Sequence, residues 1–278
     1  MMINIPKNKY LCKFTTLNKN IINSIYENNL WHARVDTLND PFEFYFNFGK
    51  ELPNSTNDLC KLMKDSHYWV KPHLVTHERE AAIQLLALSK ENDLRSRIIN
   101  KLIEHEKLLK KKMQTLCVCS LSEAYDEPLM WSHYSNGMRG ICLMFDKELL
   151  KEGMLEFEKV EYKSVPPTVD FFKHYIEHKN GEKMALGKFL LTKHTGWTYE
   201  KEFRSVSFKV NENTNQLGFI KKLKASSLKA IIMGSKISQV DKSLLITLSE
   251  KFHFKLYIAR VNTQDYKVDI TELKQKTR

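Results

Sequence analysis

Charged side chains that alternate along one short segment are the first group in this sequence that could do chemistry. Residues 196–206 read GWTYEKEFRSV and carry Glu200, Glu202 and Arg204 at intervals of two. On a β-strand, residues two apart share a face, and two carboxylates at that spacing lie about 7 Å apart. Arg204 can pair with Glu202 and keep it ionised. Such a group suits the stabilisation of a cationic centre, although a solvent-facing ladder of charges has the same pattern.

A second group combines aromatic rings with polar atoms. Trp131, Ser132, His133 and Tyr134 are consecutive in PLMWSHYSN, residues 128–136. If they are buried, their polar atoms need hydrogen-bond partners. His133 alone is more typical of a satisfied core histidine. The four residues together favour a site, because burying so many polar groups costs free energy.

A third group follows a predicted strand in the segment NDPFE, residues 39–43. Asn and Asp side chains bond their own backbone and proline fixes φ, so a capped turn explains Asn39, Asp40 and Pro41. A turn does not explain why Glu43 follows at once. We therefore keep Asn39, Asp40 and Glu43 as candidate site residues.

The composition is that of a globular protein, with 42% hydrophobic and 28% charged residues in 278. The net charge of +11 favours nucleic acid as a partner, but the lysines are spread over many elements, so compositional bias is the alternative. Five cysteines without a C-x-x-C pair predict neither a disulfide framework nor a zinc site. With no apolar leader and no run of about 18 apolar residues, we expect a cytoplasmic protein without a membrane partner.

Hydrophobic periodicity predicts an α+β fold with seven to nine strands, in mixed, mainly antiparallel sheets with flanking helices. We expect one domain over residues 1–278, with a mostly helical insertion at about 50–112. The predicted strands lie at 10–16, 30–35, 115–122, 140–146, 155–162, 197–206, 228–235 and 255–261, with a short final strand after 262. The predicted helices lie at 17–28, 128–136, 168–178, 182–194 and 239–252, with two consecutive helices between 78 and 112.

Five segments, in their order and spacing, resemble a bacterial family known as domain of unknown function 2971. They are YLCKFTTL (10–17), LWHARVDTLNDPFEF (30–44), CSLSEAYDEPLMWSHYSNGMRGICLMFD (119–146), WTYEKEFR (197–204) and LKAIIMGSKIS (228–238). The resemblance covers nearly the full length. It implies a role in phage defence or a related conflict system, with a partner protein from that system.

The order of these elements also resembles ADP-ribosyltransferases. Lys13 lies on the first strand, where that family has Arg or His, and Ser132 and Tyr134 stand in the middle of the order. The late Glu200-Lys201-Glu202 corresponds to the family's E-x-E. The resemblance implies a nicotinamide dinucleotide (NAD) as substrate and a nucleotide or macromolecule as acceptor. Glu202 would then hold the ribose hydroxyl and stabilise an oxocarbenium-like transition state, while Glu200 orients the acceptor.

Three functions follow as hypotheses. The first is an ADP-ribosyltransferase-like enzyme, a defence or toxin effector, with Glu202 and Glu200 as catalytic residues. Its substrate-binding residues would be Lys13, Asn39, Asp40, Glu43, Trp131, Ser132, His133, Tyr134 and Arg204, with no metal. The second is a non-catalytic ligand-binding or nucleic-acid-binding module that uses a lysine-rich surface. The third is a nuclease that holds a divalent metal through Asp40, Glu43, Glu200 and Glu202.

Overall fold

The computed structural model describes residues 5–6, 8–49, 51–52, 91–170, 189–207 and 216–273. Within them the chain is α+β with a mainly antiparallel sheet and flanking helices, as predicted. The strands are β1 Tyr10–Thr15, β2 Asn29–Arg34, β3 Asn47–Gly49, β4 Cys117–Ser122, β5 Ile141–Asp146, β6 Glu158–Lys159, β7 Glu161–Lys163, β8 Thr168–Asp170, β9 Thr192–His194, β10 Glu202–Ser207, β11 Gly218–Lys222, β12 Leu228–Gly234, β13 Lys255–Asn262 and β14 Lys267–Glu272. The α-helices are α1 Lys19–Glu27, α2 Glu91–Met113, α3 Pro128–Tyr134, α4 Lys147–Glu152 and α5 Gln239–Phe252, and 3-10 helices span Val35–Thr37 and Thr195–Glu200.

The described chain forms two compact units. The first comprises described residues of Met1–Pro41, Thr115–Ser164 and Lys193–Arg278, and the second those of Phe42–Gln114 and Val165–Thr192. In the second unit β3 pairs in parallel with β8, and the rings of Phe46 and Phe189 lie 4.7 Å apart. It also contains α2, whereas residues 50 and 53–90 of the expected insertion lie outside the described residues. The single-domain prediction stays a prediction.

A ten-stranded sheet forms the first unit. Its order is β11-β2-β4-β1-β5-β12-β13-β14, and β10 pairs with both β4 and β6. Neighbouring strands are antiparallel except β12 and β13, which α5 connects and which run parallel. The central strand β4 therefore contacts three others: β10 along its whole length, and β1 and β2 over one or two residues each.

Alternation along the strands gives the sheet two buried faces. The first face carries Cys12, Phe14 and Met144 and is packed against Trp131 of α3. The second face carries Leu11, Leu121 and Leu143 and is packed against α1, α4 and α5 through Ile25, Leu150 and Leu245. The sheet is buried on both faces, so β5 is buried at all six positions, as its continuous apolar sequence predicts.

Most predicted elements are confirmed within a residue or two, including the last strand, β14. Four predictions are wrong in part. The strand expected at 197–206 begins only at Glu202, because Thr195–Glu200 is a 3-10 helix. The strand expected at 155–162 is two short strands, β6 and β7. The helix expected at 168–178 begins as a strand, Thr168–Asp170, and the helix expected at 182–194 ends as a strand, Thr192–His194. Residues 171–188 lie outside the described part of the chain. Within the described ranges, no helix combines the length and apolarity needed to cross a membrane.

Candidate functional site

The first pair of predicted site residues lies on β10, at the centre of the sheet. Glu202 is opposite Ser122 of β4, and Arg204 is opposite Ser120, so both side chains leave the first face, as their spacing predicts. Arg204 Nε donates to Glu202 Oε1 at 2.8 Å, and Arg204 Nη2 donates to Oε2 at 3.1 Å. Glu202 is 4% exposed and Arg204 2%. The pair is a buried, bidentate ion pair rather than a solvent-facing ladder.

Glu200 does not belong to this strand, so the prediction that three charged groups share one strand face is wrong. It ends the 3-10 helix Thr195–Glu200, and Lys201 then takes a left-handed conformation with φ 43° and ψ 52°. Because one left-handed residue interrupts the extended backbone, the alternation of side chains along β10 does not continue to Glu200. The turn nevertheless directs Glu200 inward, where it is 4% exposed.

Lys193 of β9 joins the two carboxylates. Its Nζ donates to Glu200 Oε2 at 2.7 Å and to Glu202 Oε2 at 3.2 Å. Among the described residues, the site thus holds two buried carboxylates and two buried cations, whose formal charges balance. Sequence analysis missed Lys193, because the residue falls in a segment predicted as helix and no motif marks it.

Tyr134 extends the cluster to α3. This helix begins at Pro128 with Glu127 as N-cap, and its last residue places the Tyr134 hydroxyl on Glu200 Oε1 at 2.5 Å. The Asn39 side chain hydrogen-bonds the same hydroxyl. We call Tyr134, Lys193, Glu200, Glu202 and Arg204 the charged network; it connects three predicted segments, 39–43, 128–136 and 196–206.

Two further residues that the sequence did not mark support Glu202. The Ser120 side chain hydrogen-bonds its carboxylate, and the Tyr162 hydroxyl accepts its main-chain N–H at 2.8 Å. With two bonds from Arg204 and one from Lys193, the Glu202 carboxylate receives four hydrogen bonds. A carboxylate has about four acceptor sites, so those of Glu202 are filled.

Burial favours a raised pKa at both Glu200 and Glu202, but charge pairing lowers the pKa of Glu202 overall. At Glu202, burial is outweighed by Arg204, Lys193 and Ser120 together, which lower its pKa to about 2. At Glu200, burial outweighs the hydrogen bonds and charge of Lys193 and the bond from Tyr134, so its pKa is raised. The network therefore contains one firmly ionised carboxylate and one with increased proton affinity.

Three rings lie beside the charged network and form what we call the aromatic row: His133, Tyr199 and Trp197. The Tyr199 ring centroid is 6.1 Å from that of His133 and 6.1 Å from that of Trp197. His133 is exposed, and the other two are half-buried. Lys193 Nζ lies 4.9 Å from the Trp197 ring centroid, so one side chain contacts both the row and the network.

Lys13 lies on the opposite face of the sheet from Glu202. In β1 it pairs with Leu143, a residue of the second face. Glu202 pairs with Ser122, which is opposite Cys12 on the first face. Lys13 Nζ donates to the main-chain oxygen of Ser120 at 3.3 Å. The structure therefore does not bring Lys13 and the carboxylates into one cleft.

The remaining candidates are dispersed. Trp131 is fully buried, and its Nε1 donates to the main-chain oxygen of Tyr125 at 2.8 Å, so it is a satisfied core residue. Ser132 is exposed and Asp40 is buried, at 7% exposure. Glu43 belongs to the second unit. In the described part of the chain, no three His, Cys, Asp or Glu side chains form a group that could hold a metal ion.

Comparison with known proteins gives one match. The model of a family described as "Protein of unknown function (DUF2971)" matches residues 130–205. No curated protein and no solved structure matches the chain. The matched segment includes α3 from Met130 onward, the aromatic row and all five residues of the charged network. The resemblance to that family is supported over this segment, whereas the resemblance to ADP-ribosyltransferases has no support from the comparisons.

Proposed function

We propose that this protein is an enzyme that binds a nucleotide ring on the aromatic row and acts on it through Glu200, with a nicotinamide dinucleotide as substrate. The observation that carries the proposal is the direct connection between row and network. Tyr199 precedes Glu200 in the chain, and Lys193 contacts both Trp197 and the two carboxylates. A planar ring bound there would lie next to ionisable groups.

The aromatic row suits a planar ligand because its rings are only partly covered. Base–aromatic stacking contributes roughly 1–3 kcal/mol per ring and tolerates different bases. Since the network is neutral by formal charge, it does not repel a ligand that carries phosphates. Nicotinamide dinucleotide has the required planar rings and is the substrate that the sequence resemblance implies.

Between the two carboxylates, Glu200 suits catalysis better than Glu202. Arg204, Lys193 and Ser120 fill the acceptor sites of Glu202, so it has no capacity for a ribose hydroxyl. Glu200 receives two hydrogen bonds from the described residues and has a raised pKa, as a general base working near neutral pH requires. Glu202 and Arg204 are then positioning residues that hold Lys193 and Glu200.

In the proposed reaction, the bond between ribose C1′ and the nicotinamide nitrogen breaks, and nicotinamide leaves with the electron pair. An acceptor oxygen, from water or a macromolecule, forms the new bond to C1′ and passes its proton to Glu200. The ionised Glu200 carboxylate stabilises the cationic sugar in the transition state. Consumption of the dinucleotide would suit a defence or toxin effector.

The test is an assay of dinucleotide consumption by the purified protein, with nicotinamide release followed by chromatography. Glu200→Gln should reduce the rate by about 10²–10⁴, the usual contribution of general acid–base catalysis. Tyr199→Ala should raise KM more than it lowers kcat, because it removes stacking. Glu161→Gln is the matched control, since that side chain is 68% exposed and its ion pair with Lys163 is exposed as well. An inert wild-type protein, or a fully active Glu200→Gln variant, contradicts the proposal.

A second candidate function is nucleic-acid binding without turnover, favoured by the net charge of +11 together with half-exposed rings that can stack bases. Filter binding of a single-stranded oligonucleotide at two salt concentrations separates it from the enzyme. Binding that weakens steeply with salt and is lost in Tyr199→Ala, without dinucleotide consumption, would establish this function and overturn the first.

A further inference from the structure

A cleft of about 450 Å³ opens at the end of the sheet where β1 begins and β5 ends. Three lysines from three separate elements line it: Lys9 from the turn before β1, Lys147 from the start of α4 and Lys229 from β12. Clefts of a few hundred Å³ with a few convergent polar groups are typical of small-ligand sites. Neither the charged network nor the aromatic row contributes to its lining.

A β-bulge places Lys229 in this cleft. Leu228 is opposite Phe145 and Ala230 is opposite Met144, so two steps along β12 match one step along β5. The bulged residue is Lys229. Bulges redirect side chains and are frequent beside functional sites. In a regular β12 the Lys229 side chain would point in another direction, so the bulge contributes to the lining of the cleft.

Two of the three lysines have unbalanced charge. Within the described residues, neither Lys9 nor Lys229 forms an ion pair, and Lys229 is half-buried. Lys147 pairs with Glu123 and also lies 4.6 Å from the Phe203 ring centroid. A half-buried ammonium that no described carboxylate contacts directly can bind an anion. Phosphate oxygens are suitable acceptors for such side chains.

The cleft also carries carboxylates, which restrict the ligand. Asp146 caps α4, and its Oδ1 accepts the main-chain N–H groups of Glu148 and Leu149. Glu148 is exposed at the rim. Carboxylates repel bare anions but accept hydrogen bonds from hydroxyls. A ligand with phosphates at one end and a sugar at the other could place its phosphates on the lysines and its hydroxyls on the carboxylates.

We propose that this cleft binds a nucleoside phosphate, with the phosphates on Lys9 and Lys229 and the sugar hydroxyls toward Glu148. The site is separate from the proposed catalytic site. Its existence does not depend on turnover at Glu200, and either proposal can fail while the other stands.

The experiment is calorimetric titration of the Tyr199→Ala protein, in which ring stacking at the aromatic row is removed, with ADP and with inorganic pyrophosphate. Lys229→Gln in that background should weaken ADP binding about tenfold, as expected for loss of one charge-assisted hydrogen bond. Lys255→Gln is the matched control, because that side chain is exposed and does not line the cleft. ADP should bind more tightly than pyrophosphate, and Glu148→Gln should reduce this difference.

Three results would overturn the proposal: no ADP binding, equal loss in the Lys229→Gln and Lys255→Gln proteins, or pyrophosphate affinity equal to that of ADP. The second result indicates general charge attraction, and the third indicates a bare-anion site. If Lys229→Gln does not fold, as judged by circular dichroism, Lys9→Gln takes its place, because Lys9 is exposed and outside the regular strands.

Discussion

At the scale of single residues, the feature that decides the chemistry of the site is how completely each carboxylate is bonded. Glu202 and Glu200 are equally buried, yet of these two carboxylates it is Glu202 that Arg204 hydrogen-bonds. Removing one partner of a buried ion pair leaves an uncompensated charge, which typically destabilises a protein by about 3–5 kcal/mol. Glu202 is therefore better suited to structural support, and Arg204 is the residue that makes it so.

Arg204→Met should consequently lower the free energy of unfolding by about 3–5 kcal/mol, measured by urea denaturation. Adding Glu202→Leu should restore much of the loss, because the second change removes the unpaired buried charge. Lys163→Met, which breaks the exposed pair with Glu161, is the control and should cost less than about 1 kcal/mol. A loss below that control value in Arg204→Met would show that the buried pair does not support the fold.

At the scale of elements, the turn between α3 and β5 fixes where α3 places Tyr134. Asn136, Gly137 and Met138 all have positive φ, and the carbonyl of Met138 accepts the N–H of Lys236 at 2.9 Å. This carbonyl lies so close to Gly234 that a Cβ there would be 2.1 Å from its oxygen. The close approach holds the turn against the end of β12.

Gly234→Ala should therefore destabilise the protein by about 1–3 kcal/mol, since backbone must move to make room. Gly196→Ala is the comparison variant, because the atom nearest to an added Cβ is His194 Nδ1 at 3.1 Å, a side-chain atom that needs to shift by only a few tenths of an ångström. Denaturant midpoints of the two proteins measure the difference. Equal midpoints would mean that the turn accommodates the methyl group and does not fix α3.

At the scale of the whole molecule, the sequence predicts the sheet better than it predicts the site. Buried strands such as β5 and β12 contain the continuous apolar runs ICLMF and AIIM, so apolar runs of strand length identify them. The pairing of Glu202 with Arg204 was also predictable, because both lie on one regular strand. The left-handed conformation of Lys201 was not predictable, because it depends on the backbone torsions of one residue. The contribution of Lys193 was not predictable either, because it depends on a contact between two elements of the fold and not on a pattern within one element. Whether Lys13 faces the carboxylates was not predictable either, because strand order does not state which face of the sheet a residue occupies.

Stability against pH is a property of the whole molecule, and the two carboxyl groups should affect it with opposite signs. The pKa of Glu202 is lowered to about 2 in the fold from an ordinary 4.5, so its contribution is complete above 4.5 and is lost as pH falls toward 2. That contribution is on the order of 3 kcal/mol. The pKa of Glu200 is raised, so its contribution is complete below 4.5 and is lost as pH rises through its folded pKa.

Free energies of unfolding measured from about pH 2 to neutral pH should separate the two effects. The difference between wild type and Glu202→Gln should shrink on acidification, whereas the difference between wild type and Glu200→Gln should shrink as pH rises. Glu161→Gln is the control at an exposed position. If both network variants changed with pH in the same direction, the two carboxyl groups would not differ in proton affinity. The assignment of Glu200 as base and Glu202 as support would then have no electrostatic foundation.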